Sequence, residues 1–261
     1  MKFIFIGDIV GKGGRQAVLS LVPELKKEFG ASFVIANAEN SAGGNGLTGK
    51  IADELGKVVD VLTLGDHTWD QKDFAGEIAS LSNVVRPANF IKKQPGCGWK
   101  VFRNPAGGDI AVINVIGRVF MKEFSDCPFA ACDEILKQIP GTVKTVFVDI
   151  HAEATSEKIA LGRYLDGRVT AVIGTHTHVQ TADNKILPGG TAYLTDAGMT
   201  GAENSVLGRT VESVIAKFTT GMPTRLPVVE EGIRLDGAVV TYDHLTGKAS
   251  DIQIFSRHCE E

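Results

Sequence analysis

Five short apolar runs along the chain are each followed by a side chain that can bind a metal ion. These pairs are residues 3–7 before Asp8, residues 33–38 before Glu39 and Asn40, residues 58–65 before Asp66 and His67, residues 146–150 before His151, and residues 169–173 shortly before His176 and His178. Nearly continuous apolar runs of this length are typical of buried strands in a parallel sheet. The carboxyl ends of parallel strands lie at one edge, so the pattern predicts a single crevice where these side chains converge. His176 and His178, two residues apart at an extended strand end, are expected to place both imidazoles on one side of the backbone.

Between the predicted strands the apolar residues change to helical spacing. Ala17, Leu21 and Leu25 fall on one face of a predicted helix, and Gly30 is a plausible stop signal for it. Further helical patterns cover residues 51–59, 74–81, 129–139, 156–165 and 211–218. This alternation of strands and helices favours an α/β fold with a parallel core.

Glycines precede the first helix and follow the second strand. Residues 11–14 are expected to form a tight turn; they lack the G-x-G-x-x-G spacing of a dinucleotide site, which is the less favoured alternative. The polar segment 39–46 contains three glycines and is expected to fold over a ligand, with residues 43–46 and Arg118 as candidate substrate contacts.

Two regions depart from the parallel pattern. Residues 101–102 and 110–115 flank the turn-forming sequence 105–108, which predicts a hairpin and an antiparallel strand in the sheet. The short apolar runs after residue 228 predict a β-meander, and residues 196–201 are expected to form a loop. No repeat or linker interrupts the pattern, so residues 1–261 are interpreted as a single domain.

Composition excludes several classes of protein. The 261 residues are 43% hydrophobic with a net charge of −4, which indicates a globular protein without a basic surface for duplex nucleic acid. A nucleotide substrate stays open, because bound metal supplies local positive charge. No apolar stretch reaches the ~20 residues of a transmembrane helix, and the first apolar run reads as a strand rather than a signal peptide. Four cysteines without framework spacing indicate reduced thiols in a cytoplasmic protein, and Cys127 and Cys132 lack a second pair for a metal site.

The candidate ligands share one chemistry: they offer oxygen and nitrogen but no thiolate. They are Asp8, Glu39, Asn40, Asp66, His151, His176 and His178. This set suits Mn, Fe or Zn and is too large for one tetrahedral ion, so it predicts two ions ~3.5–4 Å apart. Such a pair favours phosphate-ester hydrolysis by hydroxide attack on phosphorus, with His67 as the proton donor.

Other interpretations accompany this one. Any one of these histidines could simply cap a strand or fill the core, although incidental placement at all five strand ends is far less expected. Hydrolysis of another bond, such as an amide, is also open. His244 and His258 are expected at the surface.

Seven motifs together resemble the YmdB-like branch of the calcineurin-like metallophosphoesterases. They are Gly7-Asp8-x-Val10-Gly11, Asn37-x-Glu39-Asn40, Gly65-Asp66-His67-Thr68-Trp69-Asp70, Arg86-Pro87-Ala88-Asn89, residues 149–155, residues 174–181 and residues 196–201. The resemblance implies a four-layer α/β/β/α sandwich with mixed sheets and a dinuclear iron or manganese centre. It also implies hydrolysis of 2′,3′-cyclic nucleotides to 3′-nucleotides and, by analogy, a homo-oligomer.

Carried over by position, the resemblance assigns Asp8, Glu39, Asn40 and His178 to one ion. It assigns Glu39, Asp66, His151 and His176 to the other, with Glu39 as the bridge and His67 as the proton donor. The family normally has asparagine where Asp66 stands, so this chain carries an additional negative charge beside its metals. Two hypotheses follow: a mixed-valence iron pair that balances the charge, or a metal-binding regulatory protein with little or no turnover.

Overall fold

The computed structural model describes residues 1–259. Within them, helices α1 to α6 are Gly11–Phe29, Gly49–Leu55, Phe74–Glu77, Pro128–Leu136, Thr155–Tyr164 and Val211–Thr220. Strands β1 to β14 are Lys2–Ile6, Asp8–Ile9, Phe33–Asn37, Val61–Thr63, Val84–Val85, Trp99–Phe102, Ile110–Ile116, Thr145–His151, Ala171–Thr175, Lys185–Ile186, Ala192–Leu194, Met199–Ala202, Ile233–Tyr242 and Ala249–His258. Two short 3₁₀ segments, Asp66–Trp69 and Ile78–Ser80, flank α3.

The first sheet combines the beginning and the end of the chain. Its strand order is β2-β12-β13-β1-β3-β4-β5, and β14 pairs with β13. Strands β1, β3, β4 and β5 are parallel, whereas β13 is antiparallel to its neighbours β1, β12 and β14. The C-terminal region is therefore one long hairpin, and the predicted meander is wrong: residues 228–229 lie outside the strands, and Val228 forms only an isolated bridge with Arg209.

The second sheet has the order β10-β11-β9-β8-β7-β6. Strands β7, β8, β9 and β11 are parallel, and β6 and β10 close the two edges in the antiparallel direction. The hairpin predicted around residues 105–108 is confirmed as β6 and β7.

The two sheets pack face to face between helices. Phe3 and Phe5 of β1 meet Phe147 of β8 in the core between the sheets, with the Phe5 and Phe147 ring centroids 4.8 Å apart. Helices α1 and α2 cover the outer face of the first sheet, and α4 and α5 cover the outer face of the second. The four-layer α/β/β/α sandwich with mixed sheets is confirmed. Because β13 returns to the middle of the first sheet, we keep the interpretation of one domain.

The start of α1 differs from the prediction. The helix begins at Gly11, so the expected glycine turn is wrong; Gly13 and Gly14 are buried within the helix. A Cβ on Gly14 would collide with the Thr200 carbonyl of β12, so glycine here lets the helix lie directly against that strand. Gly30 ends α1, as predicted, and it does so in the left-handed conformation. The segment expected to be a loop at residues 196–201 instead leads into β12, which pairs with β2 beside Asp8.

Candidate metal centre

The five polar motifs converge, but they come from two sheets rather than one. The first sheet supplies Asp8 at β2, Glu39 and Asn40 after β3, and Asp66 after β4. The second supplies His151 at the end of β8, then His176 and His178 after β9. The crevice predicted at the edge of one parallel sheet is therefore formed where the ends of two stacked sheets meet.

Four of the predicted ligands form a tight cluster: Glu39, Asp66, His151 and His176 each offer one atom, and these atoms lie within 4.8 Å of one another. His151 Nε2 is 2.8 Å from Asp66 Oδ1 and 3.1 Å from Glu39 Oε1, and His176 Nδ1 is 3.1 Å from the same Asp66 oxygen. Two atoms that bind one ion at ~2.1 Å and at right angles lie about 3 Å apart, so this spacing fits a shared cation.

The hydrogen bonds of His151 direct one ring nitrogen to this cluster. Thr175 Oγ1 donates to Asp149 Oδ1 at 2.7 Å and lies 2.9 Å from His151 Nδ1. Because the hydroxyl hydrogen is used by Asp149, the Thr175 oxygen accepts a hydrogen bond from the Nδ1–H of His151. Nε2 is then the ring nitrogen directed toward Glu39 and Asp66, where it can bind a cation in place of its proton.

The other two histidines are oriented in the same manner. His176 Nε2 lies 3.2 Å from Glu153 Oε2, which leaves Nδ1 at the cluster. His178 Nδ1 donates to the Leu207 carbonyl at 3.3 Å, which leaves Nε2 toward Asn40 and Asp8. All three imidazoles thus direct one ring nitrogen at a single small volume, the usual arrangement of histidines that bind a metal.

A second group of donors adjoins the cluster at Glu39. The Asn40 side-chain amide lies 3.2 Å from both Glu39 Oε1 and His178 Nε2, and His178 Nε2 is 3.9 Å from Asp8 Oδ1. Within residues 1–259, Asp8 Oδ1 is buried and has no hydrogen-bond partner. An unsatisfied buried carboxylate oxygen is costly, and a cation at this position would satisfy it.

Gly65 gives the cluster its room. A Cβ at this position would collide with Glu39 Oε2 and with the imidazole of His151. Any other residue at position 65 would therefore push apart two of the candidate ligands.

The electrostatics of the cluster also suit a cation. Burial opposes protonation of His151, but the charges of Glu39 and Asp66 outweigh it and raise its pKa well above the ordinary value. Burial likewise opposes ionisation of Asp66, but hydrogen bonds from His151 and His176 lower its pKa. The carboxylates thus already attract positive charge, and a bound cation would displace the proton of His151.

The His-x-His segment has a different backbone from the one predicted. An extended strand end was expected to place both rings on one side, yet β9 ends at Thr175, and His176 (φ 100°) and His178 (φ 62°) are both left-handed. Such values are uncommon outside glycine and cluster at functional sites. Between them, the backbone N–H and hydroxyl of Thr177 both donate to Asp196 Oδ2, and the buried Lys158 pairs with the same oxygen at 2.7 Å.

His67 lies at the open side of the centre. Its Nδ1 is 2.7 Å from Asp70 Oδ2, its Nε2 is 3.7 Å from Asp66 Oδ2, and its backbone N–H donates to Glu39 Oε2. Burial lowers the pKa of His67, but the charges of Glu39 and Asp66 and the hydrogen bond to Asp70 raise it to a net value above the ordinary one. Asp70 belongs to a motif of the family but was not among the predicted site residues; its position three residues after His67 in one turn was the available signal.

A cleft of about 400 Å³ opens from the centre. It is lined by five residues of the centre, Glu39, Asn40, His67, His176 and His178, together with Glu153, Thr177, Val206, Leu207, Arg209, Val214, Lys217, Phe218 and Leu226. Arg118 does not line it. In the loop 43–46, the Gly44 carbonyl and Asn45 Oδ1 accept hydrogen bonds from Arg209. Substrate contacts by Arg118 or this loop stay predictions.

The remaining predictions concern other parts of the chain. The one candidate metal cluster found within residues 1–259 contains neither Cys127 nor Cys132. No disulfide joins the cysteines in this part of the chain. Across the same residues, none of the helices has the length and apolar character needed to cross a bilayer.

The metal cluster on this fold, together with relatives named as phosphodiesterases, identifies a hydrolase of the phosphodiesterase class. The chain belongs to the YmdB-like protein family, whose model matches residues 4–255. It is 47% identical over 254 residues to a 2′,3′-cyclic-nucleotide 2′-phosphodiesterase of Bacillus subtilis, covering 97% of this chain and 96% of the relative.

Solved structures of similar chains have the same fold. A phosphatase from Mycoplasma pneumoniae is 36% identical with a TM-score of 0.92, covering 99% of this chain and 93% of the other. A hypothetical protein from Thermus thermophilus is 38% identical with a TM-score of 0.91, covering 99% of each chain.

Proposed function

We propose that the protein hydrolyses 2′,3′-cyclic nucleotides to 3′-nucleotides with two metal ions. The observation that carries the proposal is the meeting of two donor groups at Glu39, with His67 beside them at the mouth of the cleft. Asp8, Glu39, Asn40 and His178 would hold one ion, and Glu39, Asp66, His151 and His176 the other. The 47% identity to a phosphodiesterase of this substrate class supports the choice of substrate.

The metals would be Fe or Mn, with Zn as the third candidate, because the donors are carboxylate, amide and imidazole. When bound, such a pair acidifies the attacking water and neutralises negative charge on the phosphate. Asp149 and Thr175 hold His151 in the tautomer that can bind, and the Leu207 carbonyl does the same for His178. These groups contribute by fixing ligand geometry before substrate arrives.

His67 is the proposed proton donor. Opening of the cyclic phosphate to a 3′-nucleotide breaks the bond between phosphorus and O2′, and this oxygen must receive a proton. The hydrogen bond from His67 Nδ1–H to Asp70 leaves Nε2 as the nitrogen available to the substrate. The raised pKa of His67 keeps the ring protonated to higher pH. Nε2–H would donate to O2′ as the bond breaks.

The test is hydrolysis of 2′,3′-cyclic AMP by metal-loaded protein, compared with bis-p-nitrophenyl phosphate. His67→Ala should lower kcat on the cyclic nucleotide by roughly a hundredfold or more, the usual contribution of a general acid. It should affect bis-p-nitrophenyl phosphate much less, because p-nitrophenolate leaves without a proton. The matched control is His244→Ala, a histidine in a turn remote from the cleft. Equal losses on both substrates would argue against His67 as the acid.

One observation favours a second candidate function. The ionised Asp66 adds a charge to the centre: two divalent ions against Asp8, Glu39 and a hydroxide leave a formal charge of plus one, and Asp66 reduces it to zero. A neutral centre attracts a phosphate diester weakly, which would suit a metal-binding regulatory protein with little turnover. Two bound metals without hydrolysis of either substrate would support this alternative.

A further inference from the structure

Two kinds of residue line the cleft beside the metal centre. The centre itself contributes carboxylate, amide and imidazole groups, whereas the lining from residues 206–226, here called the wall, is mainly apolar. Its apolar members are Val206, Leu207, Val214, Phe218 and Leu226, and its charged members are Arg209 and Lys217. A phosphate ester held by metals at the centre would place the rest of its molecule beside this wall.

Phe218 is the aromatic residue of that wall, and 82% of it is exposed. It lies on α6, whose apolar residues share one face, but only Val214 of that helix is buried. Within residues 1–259 no other aromatic ring contacts Phe218. A bulky ring left without packing at the edge of a cleft is available to bind a flat apolar group.

The wall is tied to the metal centre through the backbone of Leu207. Leucine rarely adopts positive φ, yet Leu207 has φ 53°, and its carbonyl accepts the hydrogen bond from His178 Nδ1. Strain of this kind persists where the surroundings fix the conformation. The distance from ligand His178 to the apolar wall is therefore set by the fold.

Arg209 fixes another part of the wall. Its guanidinium donates to the Leu226 carbonyl at 3.0 Å and to Gly44 O and Asn45 Oδ1. Asn45 in turn lies 3.2 Å from Asp70, the partner of His67. Hydrogen bonds thus connect the wall to both the metal side and the proton-donor side of the centre.

We propose that this wall is a nucleobase subsite, in which the base of the cyclic nucleotide stacks on Phe218 while its phosphate lies at the metal centre. The inference rests on the proposed function and extends it to the recognition of the base. Stacking on an aromatic ring accepts every base, so the subsite gives affinity for nucleotides with modest preference among them. Purines, with the larger ring area, bind more tightly than pyrimidines.

The test compares a substrate with a base and one without. Phe218→Ala should lower kcat/KM for 2′,3′-cyclic AMP roughly tenfold, the effect of losing one base–aromatic stack. It should leave kcat/KM for 1-O-methylribose 2′,3′-cyclic phosphate unchanged, and Phe218→Tyr should retain most of the activity on both.

Ile215→Ala is the matched control, because Ile215 is 54% exposed on the same face of α6 but does not line the cleft. Ile215→Ala should leave kcat/KM unchanged for both substrates. Equal losses in both variants, with a change in oligomeric state by sedimentation, would show instead that this face binds a second copy of the chain.

Two further results separate the subsite from the function on which it rests. If the unmodified protein hydrolyses both substrates with equal kcat/KM, the subsite is wrong and the phosphodiesterase stands. If it hydrolyses neither, the proposed function is wrong and the subsite is lost with it.

Discussion

The two sheets supply different donor groups to the centre, and different kinds of contact position them. The first sheet supplies carboxylates and an amide, and short-range bonds shape the turns that carry them: Glu39 N–H donates to Asn37 Oδ1 two residues away, and Thr68 bonds back to Gly65 in the turn that carries Asp66. The second sheet supplies the histidines, which are positioned by residues far away in the chain. Thr177 bonds to Asp196, 19 residues on, and His178 to Leu207, 29 residues on.

This difference indicates where the centre is most sensitive to substitution. Left-handed backbone at His176 and His178 costs on the order of 1–3 kcal/mol at each residue, so distant contacts must hold the turn in place. Asp196 does this with one carboxylate: it accepts from Thr177 N–H, Thr177 Oγ1 and Gly198 N–H, and it pairs with buried Lys158. The carboxylates of the first sheet also accept long-range bonds, Asp8 from His176 N–H and Glu39 from His67 N–H, but neither residue has a left-handed backbone that must be held in place.

The largest expected effect is therefore that of Asp196→Asn. The substitution keeps the shape but leaves the Lys158 ammonium buried without a counter-charge, which costs about 3–5 kcal/mol. We expect a lower free energy of unfolding in urea and, because the Thr177 turn is released, loss of metal bound by His176 and His178.

The control for this prediction is Glu28→Gln, which breaks the exposed ion pair with Arg257. Exposed pairs contribute about 0–1 kcal/mol, so unfolding and metal content should stay near those of the unmodified protein. An Asp196→Asn variant with full metal content would show that the turn is held by other contacts.

The same difference explains what could be read from the sequence. Each candidate ligand follows an apolar run, and a side chain at the end of a buried strand is a local signal, so the four members of the cluster could be named in advance. The resemblance to a family supplied the layers of the fold. The division of the motifs between two sheets could not be read from the runs, because strand pairing is decided by distant partners.

Three further errors have the same cause. An extended backbone was predicted for His176 and His178, but the hydrogen bond from Thr177 to Asp196 holds them in another conformation. That bond joins residues 19 positions apart, so no local pattern reveals it. The glycine turn at residues 11–14 proved to be the start of a helix because β12 packs against it. The C-terminal runs were read as a meander because the insertion of β13 between β1 and β12 leaves no mark in a local pattern.

Asp70→Asn is expected to have an intermediate effect. The effect should be confined to proton donation by His67, which follows a strand of the first sheet. Loss of the negative partner should lower the pKa of His67 and loosen its orientation, so kcat for 2′,3′-cyclic AMP should fall roughly ten- to a hundredfold. Activity that needs protonated His67 is lost as pH rises through its pKa, so the alkaline limb of the pH–rate profile should move to lower pH. Unchanged metal content would separate this effect from that of Asp196→Asn, and an unmoved alkaline limb would contradict it.

Asp66→Asn should have the smallest effect, and it tests whether the first sheet supplies one carboxylate more than a divalent pair needs. An asparagine can still offer an oxygen, so both metals should bind and kcat/KM should change less than tenfold. If ionised Asp66 is balanced by a trivalent ion, the unmodified protein will contain an Fe(III)/Fe(II) pair detectable by electron paramagnetic resonance, and the variant will favour two divalent ions. Only divalent ions in a fully active unmodified protein would contradict the mixed-valence hypothesis.

A large gain in the activity of Asp66→Asn, from near-zero activity in the unmodified protein, would instead identify Asp66 as the reason that the protein turns over little substrate. That result would favour the regulatory alternative.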